Sequence, residues 1–228
     1  MFKIAKKRSK TIFLLIGIIS LFTISEIAFF TVNKPYNNIY MLFELAKLGA
    51  KMKNADVALF LLSTATNIAI KESSNVYPDI VPENYSTKFT LPDNKELKDG
   101  ICNYIINSDP LVLTKEKKYK LPKILYDLAL LSTKNGNKNI FPSFLESAFY
   151  IDPQLSYWAI EYANYYYSEG QKDKALEILD RCAKLKFPKQ RCEETTELFI
   201  SNIQPYQLGF LTDLINDSYT FKLPFNEK

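Results

Sequence analysis

The sequence predicts an all-α protein in which a single N-terminal transmembrane helix precedes stacked helical hairpins. Three observations carry this expectation. Gly136 and Gly170 stand 34 residues apart, and the same offset relates Leu128 to Tyr162, Ala129 to Ala163, Leu145 to Leu179 and Ala148 to Cys182. A fixed period of this length marks helix pairs that bury one face by stacking on their neighbours. An apolar run at 11–32 follows a basic head at 1–10. Histidine is absent and cysteine occurs three times, which excludes histidine acid–base chemistry and His-ligated metal sites.

A chain of 228 residues, 47% apolar and 24% charged, has ample material for a packed core and too little net charge for global disorder. Its 16 Phe and 15 Tyr supply aromatic contacts between helices. The net charge of +4 is misleading as a whole-chain figure, because Lys3, Lys6, Lys7, Arg8 and Lys10 all lie in the head. The remainder is close to neutral, and no basic face for nucleic acid is evident. Lys115, Lys117, Lys118 and Lys120 form a local run that reads as solvated loop.

As a helix, 11–32 would span roughly 33 Å, enough for a hydrocarbon core of about 30 Å. Thr23 and Ser25 offer a weak signal-peptide cleavage site. The apolar character resumes beyond Glu26, so an uncleaved signal anchor is the preferred reading. Glu26 in lipid is costly unless it lies near the interface or meets a partner helix, which makes it the membrane-contact candidate. The positive head places the N-terminus in the cytoplasm and the body outside it, periplasmic or external in a bacterium.

The region 39–120 reads as helical with one long irregular loop. Pro35 is expected to interrupt the chain between anchor and body. Met41, Leu42, Leu45 and Leu48 give 39–53 helical spacing, and Val57, Leu61, Leu62, Ala65 and Ile68 do so for 55–71. A turn at 52–55 makes these a hairpin, its apolar face expected against the later repeats. Pro78, Pro82 and Pro92 break up 72–94, within which 85–91 can pack as an extended arm. A helix is expected at 95–107, and a short extended piece at 111–114.

Residues 121–189 hold the two clear hairpins. In the first, Pro122 suits the opening turn of helix A, Leu125, Leu128 and Ala129 form its inner stripe, and Gly136 lies in the turn. Helix B begins near Ile140 and presents Phe144, Leu145 and Ala148. Asp152-Pro153 reads as N-cap and first residue of the next helix. In the second, Trp158, Tyr162, Ala163 and Tyr166 line helix A, Gly170 turns the chain, and Ala175, Leu179 and Cys182 line helix B. Residues 190–220 are expected to form capping helices, at 190–202 and 207–216, with 221–228 a frayed tail.

This pattern resembles the tetratricopeptide repeat over just under a third of the chain. Ala163, Tyr166, Gly170, Ala175 and Cys182 stand at the family's characteristic places in the second unit, as do Ala129, Gly136, Ala148 and Pro153 in the first. Phe141 departs from the small residue represented by Ala175, and Ser132 from the aromatic represented by Tyr166. The resemblance implies that a face made by the A helices receives a peptide or helix.

Cys182 and Cys192 flank the turn at 187–190, so antiparallel helices can bring them opposite each other. Outside the cytoplasm a disulfide is permitted; the alternative is two small core residues. Glu146, Glu161, Asp173, Glu177 and Asp180 read as solvent-facing helix charges rather than a catalytic set, and no cofactor or metal is expected. The function expected is a membrane-anchored extracytoplasmic scaffold binding a protein partner, contacting the bilayer through 11–32. Tyr157, Asn164, Tyr165 and Tyr167, off the main packing stripe, are its candidate exposed anchors. The alternatives are a structural subunit of a membrane complex and, more remotely, a secreted enzyme with an unusual carboxylate site.

Overall fold

The computed structural model describes residues 35–91, 94–109, 111–112, 118–134, 140–185, 189–204, 207, 209 and 221–222. Among these residues lie eight α-helices and three two-residue strands: α1 (Pro35–Lys51), α2 (Ala55–Ser74), α3 (Lys95–Asn107), β1 (Leu111–Val112), β2 (Lys118–Tyr119), α4 (Leu121–Lys134), α5 (Phe141–Ile151), α6 (Ser156–Ser168), α7 (Lys172–Ala183), α8 (Lys189–Ile200) and β3 (Phe221–Lys222). The all-α class holds, with a minimal antiparallel sheet in the order β1-β2-β3. Contacts divide the chain into Met1–Asn38 and Ile39–Lys228. The expected membrane span and Glu26 lie outside the described residues. No helix among the described residues is long and apolar enough to cross a membrane.

The 34-residue offset is a packing rule. Leu128, Ala129, Leu145, Ala148, Tyr162, Ala163, Leu179 and Cys182 are all buried, so matched positions face matched interiors. Helices α4 and α5 pair as one hairpin and α6 and α7 as the next, with α5 against α6, α7 against α8, and α6 also against α8. This is a helical, repeat-like stack. Phe144, Phe149, Trp158 and Phe199 are fully buried at its centre, each stabilising by roughly 1.5–3 kcal/mol relative to exposure.

Three turns share one device. Lys53, Gly170 and Asn202 take positive φ values of 56°, 75° and 60°. In each, the following amide donates to the carbonyl five residues back: Asn54 to Gly49, Gln171 to Tyr166 and Ile203 to Leu198. Such a left-handed residue satisfies the last orphan carbonyls and stops the helix. Gly170 therefore acts as expected, and Asn202 explains why α8 ends at Ile200. Gly136 lies outside the described residues.

Several expectations need correction. Helix α1 starts at Pro35 rather than being interrupted there, because proline lacks only an amide that a first turn leaves unpaired anyway. Asp152 does not cap α6. Its amide donates to the Ala148 carbonyl and closes α5, Pro153 sits buried in the turn, and α6 begins at Ser156. Phe221–Lys222 is no frayed tail but pairs with Lys118–Tyr119. The expected helix at 207–216 falls almost wholly outside the described residues.

The first hairpin packs on the repeats as expected, with α2 against α5. Gly49 permits close approach of α1 and α2, since a Cβ there would lie 3.3 Å from the Ala58 amide nitrogen. The arm at 85–91 is extended and clipped to α2. Asn67 accepts from the Thr87 amide at 2.8 Å and donates to the Thr87 carbonyl at 3.0 Å, while Ser63 Oγ accepts from the Phe89 amide at 2.9 Å. On its other side Phe89 meets Phe144 of α5, ring centroids 4.4 Å apart. The arm is thus half-buried, with Thr87 and Phe89 turned inward and Ser86, Lys88 and Thr90 exposed.

Cys182 and Cys192 lie at disulfide distance, with Cα atoms 6.1 Å apart, and tie α7 to α8. Cys102 is a buried free cysteine.

Candidate functional site

Helix α6 packs against α5, α7 and α8, and its faces are distinct. Ala159 and Ala163 are fully buried small residues in the body of the stack. Tyr166 carries the Lys174 ammonium 3.9 Å over its ring. Trp158 leans on Tyr126 of α4, with centroids 5.6 Å apart. Tyr157 lies half-buried under the Arg191 guanidinium at 5.0 Å, and Tyr167 stacks on Phe199 at 4.2 Å, so both are committed to α8.

The remaining stripe holds Glu161 and Asn164, one helical turn apart and therefore on the same side. Both are 0% exposed. Their hydrogen-bond partners come from beyond α8. Gln204 Nε2 donates to Asn164 Oδ1 at 2.9 Å, and the Gly209 amide donates to Glu161 Oε1. Glu161 Oε2 and Asn164 Nδ2 are buried with no protein partner. Burial pushes the Glu161 carboxyl up to about 8, against which the single Gly209 hydrogen bond gives only partial relief. At neutral pH the group is mainly a neutral acid, able to donate as well as accept.

A second polar assembly lies behind α6 and is complete. Both Glu146 oxygens accept from tyrosines, Oε2 from Tyr85 at 3.0 Å and Oε1 from Tyr150 at 3.2 Å. Tyr150 in turn accepts from Arg181 Nη1 at 2.8 Å, and Arg181 also reaches Glu177. Burial, then the Glu146 charge, hold the Tyr85 and Tyr150 hydroxyls well above the ordinary phenol range. This network pins the extended arm and α7 to α5. A third feature is a recess of about 320 Å³ between α3 and α4, lined by Tyr104, Asp109, Lys120, Lys123 and Asp127 among others. There Asp127 accepts from Tyr104 at 2.5 Å and Lys123 at 2.7 Å, so its charge is compensated within the protein.

The sequence-predicted anchors do not assemble into an open surface. Asn164 and Tyr165 are buried rather than exposed, because the helix stripe they occupy is covered. Tyr165 packs on Phe141 at 5.1 Å. Glu161 is no solvent-facing charge either, although Asp173, Glu177 and Asp180 are exposed as expected. The spacing of Trp158, Glu161 and Asn164, three residues apart on one helix, is the one local signal from which burial of the acid could have been inferred. Nothing local in the sequence tied it to Gln204 and Gly209. Among the described residues no group of three or more Cys, Asp or Glu side chains is arranged to hold a metal ion.

Comparison with protein-family models, curated proteins and solved structures gives no match.

Proposed function

We propose that this chain is a membrane-anchored, extracytoplasmic helical-repeat scaffold whose α6 face binds a polypeptide partner. The observation that carries the reading is the Glu161–Asn164 stripe, where two buried polar side chains each keep one hydrogen-bonding atom unpaired. Native interiors leave few such atoms, and each that persists calls for an explanation, a binding role among them. The resemblance to tetratricopeptide repeats agrees, since α6 corresponds to an A helix. The Cys182–Cys192 pair supports a location outside the cytoplasm, where disulfides persist. The anchor at 11–32, with Glu26 near the interface or against a partner helix, completes the reading.

Site-specific photo-crosslinking in native membranes tests it. A crosslinker at Ser168, exposed at the end of α6, is expected to capture a discrete polypeptide that one at exposed Asp180 on α7 does not. Identical capture from both positions, or from neither, counts against the proposal. Carbonate washing tests the anchor: the chain stays with the membrane pellet, whereas release as a soluble protein starting near Glu26 refutes it.

A structural subunit of a membrane assembly is the second reading, and a different observation favours it. Leu48, Met52, Val57 and Phe60 are exposed around the α1–α2 turn, Met52 by 73%. Exposed apolar clusters of this kind mark contact surfaces. A partner retained in fixed stoichiometry through purification, and lost on Phe60→Asp, supports that reading.

A further inference from the structure

The α1–α2 hairpin ends in a tip that is at once apolar and basic. Leu45, Leu48 and Met52 recur at helical spacing from α1 into the turn, and Val57 and Phe60 do so on α2. Leu48 is 52% exposed, Met52 73%, Val57 43% and Phe60 61%. The inner side of the hairpin is already filled, with Phe43, Ala46 and Ala50 of α1 and Ala58, Leu59 and Leu62 of α2 all buried. The outward apolar groups are therefore surplus to the packing of the stack.

The turn also keeps its backbone bonded. The Met52 amide donates to the Leu48 carbonyl at 3.1 Å, Lys53 to Ala50 at 2.9 Å and Asn54 to Gly49 at 3.0 Å. Lys53 makes the reversal with φ 56°, and Asn54 Oδ1 accepts from the Val57 amide at 3.1 Å to start α2. Unpaired backbone is what most disfavours a loop in a lipid environment, and these four amides arrive already paired.

Charge at the tip is lopsided. Glu44 is paired with Lys47 at 3.1 Å and Asp56 with Lys98 at 3.5 Å. Lys51 and Lys53, both exposed, flank Met52 and have no acidic partner among the described residues. The centre of a protein–protein interface is depleted in lysine. Apolar side chains framed by long basic ones instead suit the headgroup layer of a bilayer, where ammonium groups reach phosphates and the apolar parts go beneath.

Resting on the membrane-anchored reading above, we propose that the α1–α2 tip docks on an anionic phospholipid surface. Met52 and Phe60 enter the interface, and Lys51 and Lys53 meet headgroup phosphates. In the sequence only residues 33 and 34 separate the proposed anchor from α1, so the tether keeps the hairpin close to lipid and raises the effective concentration it meets.

The test uses the full chain reconstituted into vesicles of phosphatidylglycerol and acyl-brominated phosphatidylcholine. Trp158 is the single native tryptophan and is fully buried, so wild type supplies the baseline emission. Met52→Trp puts a reporter at the tip, away from the packed core, and Asp180→Trp on exposed α7 is the control. The added emission of Met52→Trp should be quenched about threefold or more by the bromines, and that of Asp180→Trp hardly at all. Adding Lys51→Glu/Lys53→Glu to Met52→Trp should cut the quenching by about half or more. Equal quenching of the two reporters, none at the tip, or quenching indifferent to both lysines overturns the proposal. A blue shift of Met52→Trp without quenching means that a protein covers the tip, and overturns it as well. Carbonate washing separates this inference from the anchor. A chain that stays in the pellet while Met52→Trp is unquenched sinks the docking surface alone. Quenching in a chain that carbonate releases supports the docking surface and removes the anchor.

Discussion

Glu146 and Glu161 sit on consecutive helices of the same stack and have opposite circumstances. Glu146 on α5 is half-buried, and tyrosine hydroxyls fill both of its oxygens. Glu161 on α6 is fully buried, with one backbone amide on one oxygen and nothing on the other. A saturated carboxylate is a structural tie: it fixes the arm at Tyr85 and, through Tyr150 and Arg181, α7. A half-paired one costs stability as it stands and repays that only when something else fills it. The contrast separates a tie that holds the stack together from a buried acid that weakens it.

The largest effect expected concerns pH. The folded-state pKa of Glu161 is raised to about 8 from an ordinary 4.5, so the folded chain holds this proton where the unfolded chain has lost it. Its contribution is therefore fully present below pH 4.5 and is lost as pH rises through about 8, at roughly 1.4 kcal/mol per unit inside that window. Glu161→Gln, which cannot ionise, should flatten the fall and unfold at higher denaturant than wild type at pH 8.5. Urea melts at a series of pH values will show this, and parallel wild-type and variant curves would break the distinction drawn for Glu161.

Glu146→Ala should destabilise by about 3 kcal/mol at neutral pH, because two tyrosine hydroxyls lose a charged acceptor at once. Tyr85→Phe in that background should cost little more, since the pair acts as one unit. Additive losses would mean that Glu146 and Tyr85 are not coupled.

Reducing the Cys182–Cys192 link is expected to lower stability by about 2–3 kcal/mol for so short a loop. A mobility shift on reduction, absent in Cys182→Ala, checks its presence in the isolated protein. The loss should appear first as faster exchange in α8, with the Glu146 network unaffected. Smallest of all, Arg191→Ala should cost about 0.5–1 kcal/mol by uncovering Tyr157. A larger loss would mean that Tyr157 contributes more to holding α8 than to any outer surface.

Much of the stack was legible in the sequence because stacking is periodic. The matched pairs Ala129/Ala163 and Ala148/Cys182 are buried together, and Gly170 takes the positive φ its turn demands. Even the two departures from the repeat pattern belong together. Ser132 and Phe141 stand where Tyr166 and Ala175 stand one period later, so each hairpin places one large and one small buried residue at that level. Such a swap conserves volume.

What was not legible depends on contacts with no local signature. Asn164 and Tyr165 lie off the stripe that α6 turns to its hairpin partner, so local periodicity predicts exposure for both. The returning chain at Gln204 and Gly209 adds a neighbour that no periodicity announces. The arm at 85–91 was foreseeable as extended, but its partners Asn67 and Ser63 on α2 were not. Asp152-Pro153 looked like a helix start and proved a helix end, because a short acidic side chain before proline suits either side of a turn.

The difference between the two glutamates can be measured directly. Carboxyl carbon resonances of glutamate-labelled wild-type protein, followed from pH 4 to 9 and compared with Glu161→Gln, give the titration of each group. One resonance should titrate near 8 and be missing from the variant, as expected for a sealed, half-paired acid on α6. A Glu161 resonance that titrates with the ordinary carboxylates near 4.5 would contradict the account.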